Sequence, residues 1–512
     1  MTSQHTSMTT ADRQFRTDHL MSDLKGRSVR GGAVTLAAQA CKFVLQMGST
    51  MVLARMLTKA DFGLIYMVSA FTGFVSMFKD LGLSMATVQR AQINHAQVST
   101  LFWINVGLSL GLTGVAAAMA PAVAWFYGEP QLVWVTIAIG GTFIFGGLSA
   151  QHSALLRRQM RFTTLATIEV AAMTAGITTA ILMAWRGFGY WALVGLGAGT
   201  AVTNMLLLWY HSPWRPSLPQ RGTDVKAFLA FGTGVSASNF FHHLGRTADG
   251  ILIGGVLGAA PVGLYSKAHG LLTLPMRQVI TPMGAVMLPA LSRLADQPGR
   301  FRHAVLAALR MVAMATIPTV AILLVLADWV VLVVLGPDWR EAGQLFRVLC
   351  FSAMLSPLNA VLGWILVALG KTRTMMRWSV IHNLLVVASM AVGLQWGLIG
   401  VATSFAITGV LVRMPYFYWE VSRVSPLSIT DFYKTILPYI GVAGGLCAIL
   451  IALRHLVGEL NAFVGLPLFM VIGLATYLGI LLLFPFGRRA LTELIDLRRN
   501  WPSKTEASQQ PG

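Results

Sequence analysis

Apolar runs close to twenty residues long recur along the whole of this 512-residue chain, and that recurrence constrains the fold more than any other feature. A run of that length is what a helix needs to cross the hydrocarbon of a bilayer. Hydrophobic residues make up 55% of the sequence and charged residues 11%, too little charge to cover a soluble protein of this size. An outer-membrane barrel would instead show ten-residue segments of alternating polarity. The expected fold is therefore an all-α polytopic membrane protein.

Fourteen spans are expected. Six run over 29–53, 62–88, 99–125, 131–155, 163–185 and 189–210. Six more cover 228–256, 262–291, 303–326, 341–369, 376–395 and 397–421, and a last pair 433–454 and 463–486. Residues 1–27 and 488–512 are expected to be polar tails, and no cleavable signal peptide is expected in the polar first thirty residues. Lys and Arg fall unevenly between alternate connections. The side holding both tails has 26, and the other has five: Arg55, Lys59, Arg186, Arg340 and Arg454. That bias puts both termini in the cytoplasm. The formal charge of +19 is then topology signal plus attraction to anionic lipid, and nucleic-acid binding is not needed to explain it.

The two halves repeat. Leu57, Ala60, Gly63 and Leu64 match Leu257, Ala260, Gly263 and Leu264 at an offset of 200, and FYGEP (126–130) and LGPDW (335–339) occupy matching external corners. Six spans per repeat bring both halves into the membrane in the same orientation, an N-lobe (28–210) and a C-lobe (228–421). A proline-bearing cytoplasmic linker (211–227) joins them, and spans thirteen and fourteen (422–487) lie outside the repeat. The repeat carries a polar face in each half: Gln39, Lys42, Gln46 and Ser49 in span one, and Asn239, His242, Arg246 and Asp249 in span seven. Spacings of three and four put each set on one side of a helix, and the two faces are expected to line one shared cavity.

Seven basic residues fall inside spans: Lys42, Lys79, Arg246, Lys267, Arg277, Arg310 and Arg347. Three acids, Asp80, Glu169 and Asp249, join them. Charges in hydrocarbon are costly unless they meet a cavity or a partner, so the positive excess points to an anionic ligand. Arg246 is the first choice for gripping a phosphate, against the alternative of a salt bridge to Asp249. Lys42 lies too deep to snorkel, and Arg277 lies near mid-span. Lys267 is near an external span end, where it is able to snorkel, and Arg310 and Arg347 are near span ends. Lys79 and Asp80, followed by Gly82, suggest a helix break in a gate. Glu169 is read either as a coupling group or as a hydrogen-bond partner of a neighbouring helix. Pro275, Pro282 and Pro289 share a face of span eight and act there as hinges or as static bends.

Cys41, Cys350 and Cys447 lie in apolar segments without metal or redox spacing and are expected to be buried. His242, His243, His269 and His382 form no metal cluster in sequence. Trp125, Phe126, Tyr127, Trp185, Tyr190, Trp191, Trp209, Tyr210, Trp329 and Trp339 cluster at span ends as an interfacial belt. Walker, Gly-x-Ser-x-Gly and zinc signatures are missing, so neither a cofactor nor catalysis is expected.

Several segments together carry a family resemblance: LARMLTKADFG (53–63), KDLGLSMATVQR (79–90), STLFWIN (99–105), RRQMRF (157–162), GFGYWALV (187–194), SPWRP (212–216), LIGGVLGAAPVGLYSKA (252–268), LPALSRL (288–294) and the two corners. The chain resembles the polysaccharide transporter family, the Wzx/WzxC-like lipid-linked oligosaccharide flippases of the multidrug/oligosaccharidyl-lipid/polysaccharide exporter superfamily. The resemblance implies two six-helix lobes in a V around a central cavity lined by spans one, two, seven and eight. It implies an undecaprenyl-pyrophosphate-linked oligosaccharide moved across the bacterial inner membrane for exopolysaccharide, capsule or lipopolysaccharide synthesis. Polysaccharide polymerase and chain-length proteins are the partners such a pathway suggests. Where the family often has Asn-x-Asp-Asn, this chain reads Arg246-Thr-Ala-Asp249-Gly250. The competing readings are a drug/cation antiporter, which calls for carboxylates in the cavity, and an integral-membrane glycan polymerase or transferase, which calls for a large external loop.

Overall fold

The computed structural model describes residues 24–80, 82–90, 93–219, 247–458, 460–484 and 487. Among them every regular element is a helix. Ten segments among the described residues are long and apolar enough to cross a membrane, so the chain is a multi-span helical membrane protein. It divides into two compact units, Met1–Ser266 with Val334–Asp338, and Lys267–Val333 with Trp339–Gly512.

The first unit starts with α1 (Leu24–Met56) and α2 (Lys59–Ser76). Thr58 caps α2 reciprocally with Asp61, which satisfies two backbone donors at the turn between them. α2 stops at Ser76 and the chain restarts as α3 (Leu83–Gln89). Gly82, at φ 70°, makes the break, a left-handed conformation that disfavours a side chain. Four long helices follow: α4 (His95–Tyr127), α5 (Leu132–Arg158), α6 (Phe162–Trp185) and α7 (Trp191–His211). Small residues let these backbones approach, the usual device between membrane helices. A methyl on Gly140 would press on Ala116 across α4 and α5, and one on Gly176 would meet the Leu196 carbonyl and Thr200 across α6 and α7.

Arg158 is buried and donates to the carbonyls of Thr87 (3.1 Å), Val88 (3.4 Å) and Arg90, closing the C-terminal end of α3. The first part of the expected linker is packed onto this unit. Trp214 is buried against His152 and Phe102, and Ser217 accepts from the Trp103 indole at 2.8 Å. The unit also includes α8 (Thr247–Leu257).

The 35-residue helix α9 (Ala259–Arg293) begins in the first unit and continues in the second, unbroken through Pro275, Pro282 and Pro289. In the second unit α10 (Pro298–Val325) is the most deeply buried spanning helix, covered by α12 (Glu341–Ala353), α13 (Leu358–Ala368) and α17 (Ile429–Val457). The short α11 (Ala327–Val334) carries the chain from α10 toward the LGPDW corner. α14 (Thr372–Gly393) and α15 (Gly397–Thr408) form a hairpin through a 3₁₀ turn, with the Ser404 hydroxyl donating to the Ser389 carbonyl at 2.7 Å. A π-helical turn, Gly409–Arg413, leads into α16 (Met414–Ser422). Tyr477 on α18 (Ala462–Leu483) ties that last helix to the Met314 carbonyl at 2.8 Å.

Three expectations are corrected. Cys41 is exposed on α1 rather than buried, because an apolar span does not show in sequence which side it turns outward. Trp329 and Trp339 are buried and so do not join the exposed aromatics such as Trp125, Trp185 and Tyr210. Arg413, counted as a connection, is buried in the π turn with its guanidinium 4.1 Å over the Phe405 ring.

Candidate functional site

Of the polar face in span one, Gln39 and Gln46 are exposed on α1 and Lys42 is half-buried between them. The Lys42 ammonium lies 2.6 Å from the Glu169 carboxylate on α6. Both side chains keep some exposure, 28% and 40%, so the pair borders open space rather than a sealed core. The pair links α1 to α6.

Asn239, His242 and Arg246 lie outside the described residues; Asp249 does not. It is buried on α8 and accepts from the Tyr66 hydroxyl of α2 at 2.9 Å, while its other oxygen accepts from the Gly250 amide at 2.8 Å. Both oxygens of the carboxylate are thus engaged by donors on α2 and α8. Glycines let the aromatics approach. A methyl on Gly250 would press on Tyr66, and one on Gly254 would press on Tyr127 and Met67. Tyr66 escaped the sequence reading, since nothing local links it to a residue 183 positions away.

The repeat shows itself where α2 meets the start of α9. A methyl on Gly63 would strike the Ala259 carbonyl, and a methyl on Gly263 would strike the Lys59 carbonyl. Each glycine and each carbonyl is 200 residues from its counterpart. Two helix starts thus cross about a local two-fold at backbone contact distance. The corners follow the same exchange. Phe126 of FYGEP packs at Gly255, and Arg55 packs at Gly336 of LGPDW while donating to the Val334 carbonyl at 3.1 Å.

Lys79 and Asp80 lie at the break between α2 and α3. Asp80 caps α3, accepting from the Ser84 amide at 3.2 Å and the Ser84 hydroxyl at 2.8 Å. Lys79 lies along Gly146 of α5. With Arg157, Thr200 and Asn204 they line a cavity of about 920 Å³ inside the first unit. Lys267 and Arg277 belong to the part of α9 in the second unit, as do Pro275 and Pro282. Arg310 lines a smaller cavity of about 260 Å³ there with Asp431, Lys434 and Tyr439.

The second unit holds ionised groups that the sequence reading did not place inside the spans. Glu420 is buried in α16 and bonded to Arg377 of α14. Arg302 grips Asp431 with two nitrogens, at 3.0 and 2.5 Å, where Asp431 also caps α17. These pairs staple helix ends together, and no group of three His, Cys, Asp or Glu able to hold a metal occurs among the described residues.

Comparison with known proteins matches this architecture. The teichuronic acid biosynthesis protein TuaB of Bacillus subtilis (strain 168) is 25% identical over 90% of this chain and 96% of its own length. The lipopolysaccharide biosynthesis protein WzxC of Escherichia coli (strain K12) is 22% identical, covering 81% of this chain and 85% of WzxC. The fold is similar to that of the lipid II flippase MurJ, solved in an inward closed conformation, with a TM-score of 0.69 at 14% identity over 88% of this chain and 97% of MurJ. The family model described as polysaccharide biosynthesis protein matches residues 52–344, and the chain belongs to that family.

Proposed function

We propose that this protein is a flippase that carries an undecaprenyl-pyrophosphate-linked oligosaccharide from the cytoplasmic to the external leaflet of the bacterial inner membrane, as a step in exopolysaccharide or lipopolysaccharide assembly. On this reading it is a transporter, not an enzyme, and both termini are cytoplasmic. Membership in the polysaccharide biosynthesis family carries the proposal, and the ionised groups on helices that otherwise read as membrane spans support it.

The Lys42–Glu169 pair supplies a mechanism. An incoming diphosphate brings two negative charges against the one of the carboxylate and replaces it on the ammonium. The pair borders open space, so the exchange requires no unfolding of the core. Arg246 and Arg277 are the further cations proposed to hold the diphosphate, and the polyprenyl tail stays in lipid throughout. An interior-negative potential of 100 mV contributes about 2.3 kcal/mol per charge to outward movement of the anionic headgroup.

The test is complementation of polysaccharide export in a flippase-null bacterium by the wild type and by Lys42→Ala, Arg246→Ala and Arg277→Ala at matched membrane levels. Rescue by the wild type alone, with lipid-linked oligosaccharide accumulating in the variants, is the expected result. Full export by all three variants would show that these charges do not bind substrate.

A further inference from the structure

The face that the basic-residue bias puts outside carries few Lys or Arg, yet two of its five converge on one cavity. Arg340, at the start of α12, and Arg454, near the end of α17, line a space of about 1030 Å³ in the second unit with Arg347, His455, Asp328 and Trp329. Arg347 donates to Asp328 at 2.6 Å, while Arg454 lies 4.0 Å from the same carboxylate oxygen. Arg454 is held in place by the Val325 carbonyl at 3.0 Å and by stacking 4.5 Å over the Trp329 ring. Gly343 lets Asp328 approach, for a methyl there would meet its Oδ1 at 2.9 Å.

Three guanidiniums share the cavity lining with one carboxylate, which leaves an excess of positive charge. One carboxylate saturates few of the donors that three guanidiniums offer. The rest of the lining includes the apolar side chains Leu324, Leu332, Cys447 and Ile451. A lining both cationic and apolar matches a lipid whose phosphate lies at the interface and whose chain runs inward. Span thirteen supplies Arg454 and His455, so the site depends on a helix that the six-span repeat lacks.

We propose that this cavity binds the phosphate or diphosphate headgroup of a lipid in the external leaflet. The chemistry of the site stands without the transport reading; only identifying the lipid as the translocated product rests on it.

The test uses the full-length protein in detergent, titrated with undecaprenyl diphosphate, phosphatidylglycerol, phosphatidylcholine and inorganic pyrophosphate, with bound lipid read by native mass spectrometry. Arg340→Gln/Arg454→Gln is expected to weaken the site about a hundredfold, since each lost charge-assisted contact is worth about a factor of ten or more. Arg340→Gln alone is the safeguard for folding, because no hydrogen bond or ion pair of its side chain occurs among the described residues. Loss confined to undecaprenyl diphosphate identifies a product site, and equal loss of phosphatidylglycerol identifies a resident-lipid site. Unchanged binding of both lipids, or pyrophosphate binding as tight as either, would overturn the proposal. Normal export by a variant that has lost the lipid leaves the transport reading intact.

Discussion

Replacing Lys42 with alanine leaves Glu169 without its counter-charge on the membrane-spanning α6. At the 2.6 Å separation found here, the attraction is about 1.6 kcal/mol in bulk water and about 6 kcal/mol at an effective dielectric constant near 20. The side chains keep 28% and 40% of their exposure, so the lower end applies, and a net contribution of about 2 kcal/mol is expected. Equilibrium unfolding in mixed detergent should show Lys42→Ala destabilised by about that amount. Lys42→Met/Glu169→Gln should recover most of it, because neither charge is then stranded, giving a coupling energy of about 2 kcal/mol. Export should fail in both variants, since the cation that meets the diphosphate is gone in each. If Lys42→Ala unfolds within about 0.5 kcal/mol of the wild type, as an ordinary surface substitution would, and also exports normally, the pairing contributes nothing and the exchange mechanism is refuted.

Gly63→Val and Gly263→Val each place a branched side chain on a backbone carbonyl of the other helix; both should cost more than about 2 kcal/mol and deplete the protein from membranes, as read by immunoblot. Arg158→Met strips the donor from the carbonyls at the end of α3 and should lower stability by about 3 kcal/mol, measured by thermal unfolding in detergent. Tyr66→Phe removes a donor from Asp249, and a loss of about 1–3 kcal/mol is expected in equilibrium unfolding. Arg340→Cys should react with a membrane-impermeant maleimide from the external side and Arg302→Cys should not, which checks the assigned orientation.

What the sequence shows and what it hides divide along physical lines. The break after Asp80 is legible because Gly82 adopts a conformation other residues resist. The crossing of α2 with α9 is legible as paired glycines at an offset of 200, since close backbone approach leaves a mark in residue size. The pairs Lys42–Glu169 and Tyr66–Asp249 are separated by 127 and 183 residues, and no local pattern joins such positions. Arg413 was hidden differently. A lone arginine before Pro415 interrupts an apolar run as a connection would, and only the π turn and Phe405 beneath it show that the charge is accommodated inside. Trp329 and Trp339 lie near span ends like their exposed counterparts, and near such an end an aromatic is able to point inward or outward.

The central claim concerns which leaflet holds the diphosphate-linked oligosaccharide, and the most direct measurement is its accessibility to a membrane-impermeant glycan oxidant in oriented inner-membrane vesicles. Vesicles from a flippase-null strain should hold the lipid on the cytoplasmic face, and expression of this protein should move it to the external face. Lys42→Ala at equal abundance should leave it on the cytoplasmic face. If the lipid lies on the external face in the null strain, or stays on the cytoplasmic face when the wild type is expressed, the account is contradicted.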